Sequence, residues 1–202
     1  MNNKFYALPE EKQNRIINAG FRVFSQNSYR KSPMNEIAAE AGISKSLLFF
    51  YFKNKKDFFL FLWQTVKEIT IEHLKASDVY KETDIFEMMC KGLEIKLNMM
   101  HKYPDMGRFA LKAYYDDDDE IREELRKIIE PFQQLSTNIM IPELDPKQFK
   151  EGIDLEMMYK DMYLASEGFL YHEMQKDDFD VDKMAEEFRK MVDFWRKLYR
   201  RS

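Results

Sequence analysis

The chain has 202 residues, with 32 Lys and Arg against 36 Asp and Glu, for a net charge of −4. A single cysteine, Cys90, excludes an internal disulfide and a cysteine-based metal cluster and points to a reducing compartment. No apolar run reaches the length of a membrane span or of a signal-peptide core, so the expectation is a cytoplasmic protein that makes no membrane contact.

Only six glycines and six prolines, separated by long periodic stretches, predict an all-α fold, and the length suffices for one or two domains with a sizeable core. The spacing predicts a first helix over 9–26, with Ile16, Ala19, Gly20, Val23 and Phe24 as its buried stripe. Ser32 reads as the cap of a second helix, with Pro33 at its first position and Met34, Ile37, Ala38 and Ala41 as its apolar face. Gly42 ends that helix where a left-handed backbone is cheap only for glycine. Ser44 then caps a third helix whose Leu47, Leu48 and Phe52 can pack back on the second. Asn54 stands at the cap of a fourth helix, with Asp57 three positions on. A helix, a glycine turn and a short basic helix make a helix-turn-helix, which lays its second helix in the DNA major groove.

The fourth helix is expected over 55–76. Its run Phe58 to Trp63 is apolar nearly all round, which predicts burial between head and body. The fifth, over 85–101, sets Glu87, Lys91, Glu94, Asn98 and His101 opposite Phe86, Met89, Leu93, Leu97 and Met100. Pro104 opens a shorter helix to about Tyr115. The five consecutive acids Asp116 to Glu120 lack the alternating spacing and central glycine of a calcium loop, so they read as a solvated turn capping the next helix. That helix carries Ile121, Leu125, Ile128, Ile129 and Phe132, with Pro131 as its bend or end, and 142–146 is a turn. Two long helices close the chain, over 154–176 and 181–199. The first is apolar on most of its circumference and so needs partners on two sides.

Charge is unevenly distributed. Residues 1–60 carry ten Lys and Arg against five Asp and Glu, whereas the rest carry 22 against 31. A basic head on an acidic body suits phosphate binding at one end only. His73, His101 and His172 sit on separate segments with no ligand spacing, and no phosphate loop or nucleophile motif is present, so neither an enzyme nor a metal or other cofactor is expected. The 14 Met and 17 Phe fit either plain helical core or a soft, adaptable pocket for an apolar ligand.

Ser32, Met34, Ile37, Ala38, Ala41, Gly42, Ile43, Ser44, Ser46, Phe49, Tyr51, Phe52 and Lys55 follow a pattern that resembles the DNA-binding head of the TetR family of one-component transcriptional regulators. Ile16, Ile17, Ala19, Val23, Phe24 and Tyr29 fit the family's first helix. The chain departs from the pattern at Ser46, where glycine is usual, at Phe49, where tyrosine is usual, and at Ser28, where glycine follows the first helix.

The resemblance implies a DNA-binding domain over 1–52 and a ligand-binding and dimerisation domain over 53–202. Ser32, Met34, Ser44, Lys45, Ser46, Leu47, Phe49, Phe50, Tyr51 and Lys55 would then face operator DNA. Lys45 would take a phosphate or a base edge, Tyr51 and Lys55 phosphates, and Leu47 and Phe50 thymine methyls or sugar edges. It also implies a homodimer built by the last two helices, for which Met158, Met162, Phe169, Phe188 and Trp195 are the candidate interface. The expected function is a repressor released from its operator by a small apolar effector. Trp63, Met89, Leu93, Met100, Phe109, Phe132 and Tyr163 are candidate pocket residues, each on a core-facing stripe. The other reading kept open is a helical partner-binding or adaptor protein with a degenerate head, which Ser46 and Phe49 would suit.

Overall fold

The computed structural model describes residues 3–130, 144–176 and 178–201. The described elements are helical: α1 Glu10–Gln26, α2 Met34–Glu40, α3 Lys45–Tyr51, α4 Lys55–Ala76, α5 Ile85–Lys102, α6 Met106–Tyr114, α7 (122–130), α8 Leu155–Met174 and α9 Val181–Tyr199. Short 3-10 turns at Val79–Lys81 and Pro146–Gln148 complete them. The described residues form two compact units, the first within 1–70 and 102–132 and the second within 71–101 and 133–202. Compactness therefore does not divide the chain at 52. The first part of α4, and α6 and α7, belong with the head.

Local chemistry explains the head. Ile43 N–H donates to Ala38 O at 2.9 Å and Gly42 N–H to Ala39 O at 3.0 Å, which closes α2 in a Schellman turn. Gly42 has φ +64°, the left-handed conformation that turn requires. Ser44 Oγ accepts the Leu47 N–H at 3.1 Å, and Asn54 Oδ1 accepts the Asp57 N–H at 2.7 Å, capping α3 and α4. The expected cap at Ser32 is not made. Pro33 occupies the cap position of α2, and the Ser32 hydroxyl turns back to donate to Ser28 O at 2.9 Å.

The core of the first unit is aromatic. Phe52 and Phe58 lie 4.5 Å apart by ring centroids, Phe24 and Phe59 5.0 Å, and Phe59 and Phe109 5.2 Å. Phe5, in the segment before α1, is fully buried against Tyr51, Phe52 and Phe61. Rings at these separations add to simple area burial through edge-to-face and offset contacts. Helices α1 and α4 approach closely at Gly20, where a Cβ would come within 2.7 Å of Phe58 Cζ and Leu62 Cδ1. The glycine serves that crossing, since it lies inside a helix where its conformational freedom is a cost.

In the second unit, Asp84 Oδ1 caps α5 through the Phe86 N–H at 2.9 Å, Asp154 Oδ1 caps α8 through Met157 at 3.0 Å, and Asp180 Oδ1 caps α9 through Asp182 and Lys183. Arg196 Nη2 on α9 reaches Glu87 Oε1 on α5 at 2.7 Å. Among the described residues, no helix is long and apolar enough to cross a membrane.

Candidate nucleic-acid interface

The candidate interface centres on α3. Its Leu48 and Tyr51 are buried, with Phe52 after them, which turns the opposite side outward. Ser44, Lys45, Ser46 and Phe50 are exposed there, and Leu47 and Phe49 are half-buried. Lys45 and Phe49, like Ser46 and Phe50, are four positions apart and so lie one above the other on the helix surface. The Lys45 ammonium lies 5.8 Å from the Phe49 ring centroid and that of Lys4 5.1 Å from the Phe50 ring. Aromatic faces thus hold cations within cation–π range along the same surface.

Three of the ten expected contact residues, Ser32, Met34 and Tyr51, are buried in the chain as folded. Ser32 spends its hydroxyl on Ser28, Met34 fills the inner face of α2, and the Tyr51 ring packs edge-on against Phe5 at 6.0 Å. Lys55 is engaged within the chain, donating to Arg30 O at 3.0 Å with its ammonium 5.0 Å from the Tyr29 ring centroid.

The acidic segment after α6 belongs to this region, which sequence reading missed. Asp116 Oδ2 accepts the Tyr29 N–H at 2.8 Å, and Asp118 Oδ2 accepts from Arg30 Nε at 2.9 Å. Lys56 Nζ reaches Glu124 Oε1 at 2.6 Å. The Asp118 side chain is only 8 % exposed, whereas Asp117 and Asp119 are almost fully exposed, so the turn that leads into α7 is solvated at those two positions and engaged with the head at Asp116 and Asp118. The Glu120 N–H donated to Asp118, together with the charges of Arg30 and Lys55, holds the Asp118 carboxyl below the usual range. Burial, with Glu120, Asp118 and Asp116 nearby, pushes the Tyr29 phenol upward. Burial pushes Lys55 downward against the pull of the same three carboxylates. These pairs link positions 68 to 88 apart in sequence, beyond the reach of any local pattern.

Of the expected pocket residues, Trp63 and Phe109 are neighbours in the first unit, with ring centroids 6.3 Å apart. Met89, Leu93 and Met100 lie on α5 and Tyr163 on α8 in the second unit, where Tyr163 Oη donates to Glu167 Oε1 at 2.6 Å. Phe132 lies outside the described residues. Phe109 is fully buried, with its ring against those of Phe21, Phe24 and Phe59. The Trp63 Nε1–H is buried with no hydrogen-bond partner among the described residues.

The expected dimer residues lie mostly inside the single chain. Met158, Met162, Phe188 and Trp195 are buried in the chain's own core, and Phe169 is half-buried with its ring 6.0 Å from that of Phe188. The exposed apolar residues of α8 are Met157, Leu164 and Tyr171, seven positions apart on one stripe, and those of α9 are Phe194 and Leu198.

Residues 16–61 match the family model of bacterial regulatory proteins, tetR family. The fatty acid metabolism regulator protein of Bacillus subtilis (strain 168) is 21 % identical over 142 residues, which are 70 % of this chain and 73 % of that protein. The crystal structure of a TetR family transcriptional regulator from Chloroflexus aurantiacus superposes with TM-score 0.70 at 23 % identity, over 100 % of this chain and 99 % of that one. The Bacillus subtilis regulator FadR, crystallised in complex with stearoyl-CoA, superposes with TM-score 0.63 at 17 % identity, over 88 % and 96 % of the two chains.

Proposed function

We propose that this TetR-family chain is a dimeric repressor that binds operator DNA through α3 and is released from it by a long-chain acyl thioester or a similar apolar ligand. The observation that carries the DNA-binding reading is the outward face of α3, where Ser44, Lys45, Ser46 and Phe50 stand exposed beside a capped helix start. Lys45 takes a phosphate or a base edge, Ser44 and Ser46 offer hydroxyls, and Phe50 meets thymine methyls or sugars. With no Arg, Asn or Gln on α3, discrimination rests on apolar contact and DNA shape more than on bidentate base readout.

Lys45→Ala should leave folding intact, because the side chain is exposed, and should weaken operator binding. Loss of one phosphate contact flattens the slope of log affinity against log salt by about 0.9. Anisotropy titrations at several salt concentrations measure both. Unchanged affinity and slope would remove α3 from the interface.

The effector reading draws on the regulator name and the stearoyl-CoA of the Bacillus subtilis relatives, and on Trp63. A buried indole N–H without an acceptor costs about 1–3 kcal/mol, a penalty that a ligand carbonyl would relieve. Such a ligand releases DNA only if it binds the DNA-incompetent arrangement more tightly, and a coupling of about 1–3 kcal/mol gives roughly 5–150-fold weaker operator binding. Stearoyl-CoA should therefore weaken operator binding by that range and quench tryptophan fluorescence, and Trp63→Phe should abolish the quenching. If stearoyl-CoA neither binds nor shifts operator affinity, the acyl-thioester assignment fails while the DNA reading stands.

A further inference from the structure

Arg30, at the exit of α1, and Lys55 and Lys56, at the start of α4, are three of the ten cations in residues 1–60. In the chain as folded each of the three already has a partner, although the Arg30 side chain is itself 79 % exposed. Arg30 Nε is held by Asp118 Oδ2 at 2.9 Å and Lys56 Nζ by Glu124 Oε1 at 2.6 Å. Lys55 Nζ donates to Arg30 O at 3.0 Å, in the field of Glu120, Asp118 and Asp116. The carboxylates come from one stretch, which is braced by its own hydrogen bonds. Asp116 Oδ1 accepts the Asp118 N–H at 3.1 Å, Asp118 Oδ1 accepts the Glu120 N–H at 3.0 Å, and Asp116 Oδ2 fixes the backbone of Tyr29 at 2.8 Å. Each of these aspartates uses one oxygen to shape its own loop and the other to hold the head. Lys55 and Lys56 form the first turn of α4, whose positive dipole end favours phosphate.

We propose that the segment Asp116–Glu124 is an internal competitor for DNA, whose carboxylates hold Arg30 and Lys56 of the head in the free chain and must be exchanged for phosphates when the operator binds. The inference rests on the DNA-binding reading above and adds to it a cost built into the protein. Every cation already neutralised by a carboxylate contributes less counterion release from the DNA, so affinity is held down and its salt dependence is shallower than the head's charge would give. The segment follows α6 directly, so a displacement of α6 would shift the carboxylates and change how many head cations are free.

Two variants test this with the full chain. Glu124→Gln frees Lys56 at a side chain that is 44 % exposed, so the fold should tolerate it. Asp118→Asn removes the charge facing Arg30 and keeps an oxygen for the Glu120 N–H. Binding is read by anisotropy with a duplex of the chain's own upstream DNA and with a random-sequence duplex, between about 50 and 200 mM salt. Each variant should bind both duplexes about three- to tenfold more tightly at the lowest salt, and its slope should steepen by about 0.9 per freed cation. The two changes together should approximately add. Weaker binding with a lower melting temperature would make the segment a brace for the head and overturn the competitor. A wild-type chain that binds both duplexes, with variants that leave affinity and slope unchanged, overturns this inference alone. A wild-type chain that binds neither duplex overturns the DNA-binding reading and this inference with it.

Discussion

Phe109→Ala should cost about 3–5 kcal/mol of stability. Phe109 has no exposed surface and its ring contacts Phe21, Phe24, Phe59 and Trp63, which come from α1 and α4 while Phe109 itself comes from α6. Removing the ring leaves a cavity that rigid aromatic neighbours cannot fill, so the loss exceeds the transfer energy of the deleted atoms. For a chain of this size each kcal/mol lowers the melting temperature by about 2–4 °C, so the midpoint should fall by roughly 6–20 °C. Phe109→Leu keeps most of the volume and should cost much less. Circular dichroism melts of the two variants provide the check. A loss below about 1 kcal/mol for the alanine variant would mean that the aromatic residues of α1, α4 and α6 do not form one core.

Leu164→Arg should convert a dimer into monomers without unfolding the chain. Leu164 is 55 % exposed and lies on the stripe Met157, Leu164, Tyr171, so an arginine there is solvated in a single chain. In the dimer proposed above it would become an unpaired buried charge in each protomer. Leaving such a charge costs about 3–5 kcal/mol, or a weakening of association by more than about a hundredfold. Sedimentation velocity at micromolar concentration should show a dimer for the wild type and a monomer for the variant, with unchanged helical content. Operator affinity should fall with it, because two tethered heads bind paired half-sites far more tightly than one. A dimeric Leu164→Arg chain would move the interface off this stripe. Met162→Arg is the wrong test, since Met162 is 1 % exposed and its replacement would damage the fold of the single chain.

That contrast marks what the sequence could carry. The turn at Gly42 and the caps at Ser44 and Asn54 were legible because each is set by residues within a few positions, and the structure places all three as expected. Helix α4 begins and ends at the expected Lys55 and Ala76, and α9 at Val181 and Tyr199. The side of α8 that faces outward was not legible. A helix apolar on most of its circumference gives periodicity little to separate, and Met158 and Met162 went inside while Met157 and Leu164 stayed out. Phe5 lies in a segment with no periodicity, so nothing local signals its burial beneath α3. Ser32 suited a cap by residue type, but its hydroxyl found Ser28 O instead. The run Asp116 to Glu120 showed its charge and not its partners, because Arg30 and Lys56 reach it only through the tertiary fold.

The most direct test of a dimeric operator-binding regulator is selection of the purified full chain against a pool of random-sequence duplexes, followed by titration of the enriched sequence. The account predicts enrichment of a palindromic element with half-sites spaced to match a two-fold dimer. It also predicts affinity for that element at least about a thousandfold above that for random duplex, falling linearly with salt on logarithmic axes. Sequences recovered at their input frequencies, with no duplex bound even at about 50 mM salt, would contradict it.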